Sequence, residues 1–368
     1  MSISGVSGVE GVEGVEGVEG VEGVEGVEGR TLSTPGNASS PILSVALTVA
    51  NEGVLDPATV TLKSPPLGPG NIKRFDNLNP RYVRMIMIER LRAGLAIKKN
   101  PTEVEVKFNS NPVYTLLRPT THQVLHDQVA FVLAAADLRT ERMPEIVLQQ
   151  TDILSFIGAT ERLHDVSHGW TLEILRSVRN ASTVIHSQVK YEMTTPRPVQ
   201  VCPETAPMIQ TPQHSSLPSG HSIECSSVAY VLSRLAGKSD ADALSPDNYI
   251  MRTAARIALN RTVAGVHFPF ESMAGFLLGI TIGQIFWRRL SGDNVGAGQG
   301  DIVAHHFTVT PDAMSSVDFT MRSFTDARDA VIGGTPPSWL SAAPMAALPG
   351  TTSKELAYAL KKAREEWD

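Results

Sequence analysis

Residues 214–237 read HSSLPSGHSIECSSVAYVLSRLAG. A proline, a small hydroxyl, a glycine and a histidine stand directly before a helical pattern. Ile223, Val228, Val231, Leu232 and Leu235 give that pattern an apolar face, and Gly237 after Leu235-Ala236 is a helix C-terminal stop. Pro218 restricts the backbone near the helix start, and Ser219 is a good N-cap. Gly220 lets main chain come close to a ligand, while the free N–H groups and the helix dipole favour an anion there. His221 falls in the first turn, where the positive end of the dipole works against its protonation. An ordinary capped helix would use the same letters, so the motif acquires meaning only from what accompanies it.

The chain has 368 residues, enough for one large domain or two ordinary ones. Its 42% hydrophobic and 6% aromatic content suits a helix-rich protein. The formal charge is −6, but Gly-Val-Glu repeats seven times from Gly8 to Glu28; setting those seven glutamates aside leaves about +1. That balance gives no basic excess to draw nucleic acid. Cys202 and Cys225 lie outside any CxxC, and so few thiols in a long chain read as buried and reduced, although a pair is possible. The start lacks a basic segment followed by an apolar run, so no signal peptide is expected and a cytoplasmic location is the default, with export left open. The 16 uncharged residues between Glu271 and Arg288 fall short of the roughly 20 a bilayer requires, which favours a buried core helix over a membrane span.

Along the chain, residues 1–40 read as a disordered acidic tail. Residues 41–115 form a mixed extension, with short strands expected at 44–49 and 104–108 and a helix at 82–96. Residues 116–292 form a helical core with helices expected near 121–138, 143–157, 161–193, 221–236, 247–264 and 268–290. Residues 293–368 are rich in proline and glycine and read as loops plus a charged helix at 353–366. The fold class expected is all-α, a helical bundle. Gly275, Gly279 and Gly283 recur every four residues, a smooth stripe suited to close helix packing, with Leu277, Leu278, Ile280 and Ile282 as core candidates. His164, Asp165 and His168 could start a metal site, but no third ligand is identifiable.

Two further segments belong with the first. In Lys190-Tyr191-Glu192-Met193-Thr194-Thr195-Pro196-Arg197-Pro198 two cations stand seven residues apart, two helical turns, so both can face one side. In Asn260-Arg261-Thr262-Val263-Ala264-Gly265-Val266-His267-Phe268-Pro269-Phe270-Glu271, Gly265 closes one helix and Pro269 opens the next. His267 and Glu271 are four apart; a carboxylate there can take the imidazole N–H, fix the tautomer and leave the other nitrogen as nucleophile or metal ligand. Taken singly, solvated cations and a structural His–Glu pair explain these segments. Taken together, a lysine, two arginines, a helix N-terminus and two histidines can hold a tetrahedral oxyanion and its five-coordinate form.

The three motifs resemble the superfamily that joins vanadium-dependent haloperoxidases, bacterial class A acid phosphatases and type 2 phosphatidic acid phosphatases. Its signature is Lys-x6-Arg-Pro, then Pro-Ser-Gly-His, then Ser-Arg-x5-His-x3-Asp; the chain has Lys190…Arg197-Pro198, Pro218-Ser219-Gly220-His221 and Arg261…His267…Glu271, with intervening gaps of 19 and 38 residues. The resemblance covers roughly 115–290 and implies a vanadium haloperoxidase-like fold of paired four-helix bundles. Two positions depart from it. Asn260 stands for the usual Ser and Glu271 for the usual Asp; both keep hydrogen-bonding ability, and the longer Glu271 is expected to hold His267 at a different angle.

By resemblance, Lys190, Arg197 and Arg261 neutralise equatorial oxygens, and Ser219 with the Gly220 N–H completes the cradle. His267 is the apical ligand to vanadium, or the nucleophile on phosphorus, and His221 on the opposite side is the general acid–base. Vanadate is the implied cofactor, and phosphate can occupy the same place. The implied activity is a haloperoxidase using hydrogen peroxide, halide and small organic acceptors. His214, seven residues before His221, matches the His of algal bromoperoxidases where fungal chloroperoxidases carry Phe, and so favours bromide; a surface loop histidine is the alternative. A phosphatase working through a phosphohistidine, or a non-catalytic oxyanion-binding or assembly module, remain the other readings. The family's habit of pairing makes a homodimer the expected assembly.

Overall fold

The computed structural model describes residues 41–52, 72–75, 77–294 and 305–367. The Gly-Val-Glu repeat and the rest of the expected disordered tail lie outside the described residues. Pro41–Glu52 forms helix α1, in a unit of its own ending at Pro69. A strand was expected over 44–49 from its alternating β-branched residues. The segment is helical instead, started by Pro41, and Thr48 Oγ1 donates back to the Ser44 carbonyl at 3.0 Å. The remainder, from Gly70, forms the second unit.

In that unit, helix α2 is Pro80–Arg92, capped by the Asn79 side chain, which accepts from the Arg81 N–H at 2.9 Å. It buries Val83, Met87 and Leu91, spaced by four on one face. The helix expected to reach residue 96 stops short, because Gly94 takes φ +88° and turns the chain into strand β1, Leu95–Lys99. Strand β2, Glu103–Phe108, buries Val104, Val106 and Phe108 on alternate positions, and β3 is Asn111–Leu117. Asn109 and Ser110, both at positive φ, make the two-residue turn between them. Helices α3 (Gln123–Ala135), α4 (Arg139–Leu148), α5 (Gly169–Glu192), α6 (Gly220–Leu235), α7 (Tyr249–Val263) and α8 (Pro269–Ser291) follow. Strand β4 (His305–Val309), helix α9 (Met321–Ile332), strand β5 (Leu340–Pro344) and helix α10 (Lys354–Arg364) complete the chain.

The all-α expectation is corrected: the protein is mostly helical but contains a five-stranded sheet in the order β1-β2-β3-β4-β5. All neighbours are antiparallel except β3 and β4, which run parallel with Tyr114 opposite Phe307. The segment expected to be loops after residue 293 therefore supplies two strands and helix α9. Its strand β4 meets β3 only in three dimensions and β5 pairs with β4, and no local period announces such pairing. Other boundaries shift for local reasons. The helix expected from 161 begins at Gly169, after a left-handed Arg162 at φ +53°, and the one expected over 143–157 is cut after Leu148, with a separate turn at Leu154–Gly158. The N-terminus of α5 receives the Glu366 carboxylate on the N–H groups of Trp170 and Thr171, at 2.7 and 2.8 Å.

Helix α6 is the axis of the core. It packs on α5, α7 and α8, while α5 and α8 also pack against α2 and α10, so two groups of four helices share a wall. Leu277, Leu278, Ile280 and Ile282 are buried on α8, each a core side chain worth about 1.5–3 kcal/mol of burial. Among the described residues α8 is the one helix long and apolar enough to cross a membrane, and its apolar stretch is entirely buried. The glycine stripe of α8 lies against α6. A Cβ at Gly275 would come 2.6 Å from the Ser219 carbonyl oxygen, and one at Gly279 2.5 Å from that of Ile223; at Gly283 the nearest atom is Ser227 Cα at 3.1 Å. The backbones have approached until nothing larger than hydrogen fits.

Gly279→Ala is therefore expected to destabilise the protein by about 1–3 kcal/mol or more, since backbone must move to admit the methyl group. Gly283→Ala should cost less. Urea denaturation midpoints of the two variants check the order; equal midpoints would remove the steric argument.

Candidate active site

The carbonyl of Glu271, near the start of α8, accepts the Ser219 N–H at 3.0 Å, so the close α6–α8 contact also sets the Pro-Ser-Gly-His corner against the His267 turn. Ser219 occupies the N-cap of α6 but makes no capping bond; its Oγ is buried and has no partner among the described residues. On its other side Gly220 lies close to His186: a Cβ there would come 3.1 Å from Cε1 of the ring, tight enough that the ring would have to give. Leu217–Pro218 is a cis peptide.

Lys190 lies in the last turn of α5 and is buried, with Nζ donating to the carbonyls of Ser215 and Ser216, each at 2.9 Å. Burial lowers its pKa, and the Arg197 charge lowers it further. Arg197 was expected to face the same side as Lys190 even with Pro196 ending the helix, and α5 does end early, at Glu192. Arg197 instead caps the short Pro198–Val201 turn in extended conformation, and the intervening loop brings it in. Its Nη1 donates to the Val266 carbonyl at 2.9 Å and to His267 Nε2 at 3.0 Å, and its Nη2 to His214 Nδ1 at 3.2 Å. Burial lowers the Arg197 pKa without discharging it. His214 is exposed at the residue level, yet desolvation of its ring and then the Lys190 charge lower its pKa.

His267 was placed one helical turn from Glu271. The structure puts it in the loop before α8, and the contact arises differently: Glu271, in the first turn, reaches back to accept the Phe268 N–H at 3.1 Å. The same Oε2 accepts from His267 Nδ1 at 2.8 Å and from Ser216 Oγ at 2.6 Å. A guanidinium only donates, so Nε2 of His267 must be the acceptor and Nδ1 must carry the proton. The ring is neutral with a lone pair on Nε2; burial, then Arg197 and Lys190, hold its pKa well below the usual value. Burial raises the Glu271 pKa, against the pull of its Ser216 donor and the two cations.

Arg261, in the last turn of α7, is 1% exposed. Its Nη2 donates to the Ile146 carbonyl at 3.3 Å and to Gln149 Oε1 at 3.2 Å, while Nε and Nη1 have no partner among the described residues. Burial lowers its pKa to about 10, so it stays cationic. His221 Nε2 donates to the Gln149 main-chain carbonyl at 2.9 Å. Burial, then the Arg261 charge, pushes the His221 pKa down to about 4, so the ring is neutral with its bare nitrogen at Nδ1.

The structure thus connects Arg197, His214, His267 and Glu271 by direct bonds, ties Lys190 to them through the Ser215–Ser216 backbone, and joins His221 to Arg261 through Gln149. Arg197 Nε, Arg261 Nε and Nη1 and Ser219 Oγ are buried donors without a partner among the described residues, and Glu271 Oε1, behind His267, is a buried acceptor in the same state. The donors fit an oxyanion such as vanadate or phosphate, whose oxygens accept more hydrogen bonds than its few protons donate. Arg197, Arg261, Lys190, Ser219 and the Gly220 N–H are the groups that would hold its oxygens.

Four contributors were not anticipated. Ser216 braces Glu271, Ser215 shapes the loop by accepting the Thr195 N–H at 3.0 Å, and Gln149 serves both His221 and Arg261. His186 forms a dyad with Glu224, Nε2 to Oε1 at 2.8 Å, its Nδ1 buried without a partner among the described residues. Only His186 left a trace, standing one turn before Lys190. Elsewhere, Cys202 and Cys225 are both free. His164, Asp165 and His168 form no metal site: Asp165 pairs with Arg176 at 3.3 Å, and no group of three or more potential ligands exists among the described residues.

A histidine held neutral has a definite pH signature. With the folded pKa near 4 and an ordinary value of 6.5, the unfolded chain binds the extra proton between those limits. The contribution of His221 is fully present above about pH 6.5 and is lost as pH falls toward 4, an effect on the order of 3 kcal/mol. His221→Asn should lack this part of the acid sensitivity. Urea unfolding of both proteins at pH 4.5 and 7.5 measures the difference, and an unchanged slope would refute it.

No curated protein matches the chain. Residues 172–293, about a third of the sequence, match the PAP2 superfamily, whose members include both phosphatases and haloperoxidases. All three motifs fall within those limits, and residues 172–293 are a PAP2 superfamily domain.

Proposed function

We propose that the protein is a vanadate-dependent haloperoxidase that oxidises halide, bromide in preference to chloride, with hydrogen peroxide to hypohalous acid. The observation that carries this reading is the state of His221. Its Nε2 proton is committed to the Gln149 carbonyl and its pKa is about 4, so at neutral pH the other ring nitrogen accepts protons. Peroxide activation needs such a base, whereas cleavage of an ester by general acid catalysis needs the protonated ring.

Vanadate, when bound, would supply a Lewis-acidic centre that activates peroxide toward halide without changing its own oxidation state. Lys190, Arg197 and Arg261 spread positive charge over the oxygens and disperse the charge that develops on them. His267 presents Nε2, its ring angle set by Glu271, which Ser216 and the Phe268 N–H hold in turn. His221 takes the proton that hydrogen peroxide releases and returns one to the departing water, so that halide, peroxide and a proton give hypohalous acid and water. His214, exposed and bonded to Arg197, is the residue whose likeness to the algal bromoperoxidase histidine favours bromide.

The lone pair on His267 Nε2 also favours a second reading, a phosphatase acting through a phosphohistidine. In that case His221 must be protonated to serve the leaving group, and activity should rise toward acid pH.

Purified protein loaded with orthovanadate should brominate monochlorodimedone in the presence of bromide and peroxide, and His267→Ala should abolish it. Bromination should decline as pH falls toward 4. Absence of bromination, together with vanadate-inhibited hydrolysis of p-nitrophenyl phosphate, would reject the peroxidase reading in favour of the phosphatase.

A further inference from the structure

We infer that Gln149 is a positioning residue of the oxyanion site: its main-chain carbonyl takes the Nε2 proton of His221, while its side-chain carbonyl aims Arg261 at the anion without cancelling the arginine's charge. The inference rests on the oxyanion-site part of the proposed function, though not on which reaction the site performs. Gln149 caps the C-terminus of α4, is 1% exposed, and lies outside the residues that match the PAP2 superfamily.

Three observations converge on it. First, one residue bonds both His221 (2.9 Å to its main-chain oxygen) and Arg261 (3.2 Å to Oε1). Second, its amide orientation is fixed. Asn260 Nδ2 donates to the same Oε1 at 3.0 Å, and two N–H donors on one atom require it to be the oxygen. Asn260 is in turn held by Arg142, whose Nη1 donates to Oδ1 at 3.1 Å, and by Glu145, whose Oε2 accepts from Nδ2 at 3.0 Å. Asn260 therefore does what a serine hydroxyl at that place could not, tying the catalytic helix α7 to the end of α4 through a two-donor amide. Third, Arg261 has no carboxylate partner among the described residues, and both acceptors on it, the Ile146 carbonyl and Gln149 Oε1, are neutral. The nearest carboxylate in this network, Glu145, is occupied by Arg256 at 2.6 and 2.8 Å and by Asn260.

A buried arginine paired with a carboxylate would offer the anion a neutralised unit, whereas the neutral amide fixes its geometry and leaves its charge for the ligand. The main-chain half adds to this by holding the Nε2 proton of His221, which fixes the tautomer and leaves Nδ1 bare.

The test compares wild-type protein, Gln149→Glu, Gln149→Leu and Asn260→Ala by calorimetric titration with orthovanadate and with inorganic phosphate, with thermal unfolding in parallel. Gln149→Glu keeps both side-chain hydrogen bonds but places a negative charge on Arg261. It should fold as well as wild type and bind both anions about 10- to 100-fold more weakly. That deficit should shrink as pH falls and the introduced carboxyl takes up a proton, a response a purely structural role would not give. Gln149→Leu and Asn260→Ala should weaken binding by releasing Arg261, and Asn260→Ala decides the matter if Gln149→Glu does not fold. Wild-type affinity in Gln149→Glu, or in Asn260→Ala when it alone folds, overturns the inference. Weakened binding in a protein that fails to brominate leaves the inference standing and removes the peroxidase reading instead.

Discussion

Three buried basic side chains with no ion-pair partner among the described residues set the terms for the rest of the molecule. Lys190, Arg197 and Arg261 are each 3% exposed or less, and among the described residues none pairs directly with a carboxylate. Removing a charge from water costs several kcal/mol even after relaxation, against a total stability of about 5–15 kcal/mol for an ordinary protein. Carbonyl oxygens offset part of that cost: Ser215 and Ser216 for Lys190, Val266 for Arg197, Ile146 and Gln149 for Arg261. Neutral acceptors hold the cations in place and leave their charge directed at a ligand.

That arrangement needs rigid surroundings, and the α6–α8 contact supplies them. Glycines at 275, 279 and 283 let two backbones meet, and the contact ends at the bond between the Ser219 N–H and the Glu271 carbonyl. The corner that presents Ser219 and Gly220 and the turn that presents His267 are therefore parts of one interface. The two histidines are kept neutral by the same field. Burial is the main cause for each, followed by the Arg261 charge at His221 and the Arg197 charge at His267. Cations and neutral imidazoles coexist here because the cations suppress protonation of the rings beside them.

The helices α6, α7 and α8 were legible to within a residue or two. Their signals are local: a proline or asparagine at one end, a left-handed glycine such as Gly237, Gly265 or Gly292 at the other, and an apolar face between. The charged and acid–base members of the site were legible for the same reason, since each lies beside a helix terminus. The contacts among them were not. Arg197 reaches the site from a loop rather than along a helix, and Glu271 meets His267 by reaching back from the first turn of α8. Of the sheet only β2 was expected, over 104–108; β3 contains a proline, and its parallel partner lies almost two hundred residues away in the chain.

The sequence by itself determined the helices α6, α7 and α8 and where they stop, and it singled out the side chains that gather at the site, because helix periodicity, capping and residue type are properties of neighbours in the chain. Only the tertiary structure decided that Ser216 braces Glu271, that the His186 ring packs closely on Gly220, and that Gln149 joins His221 to Arg261. Those relations join residues between 34 and 112 positions apart. A hydrogen bond over such a separation depends on how helices cross, which no local pattern encodes.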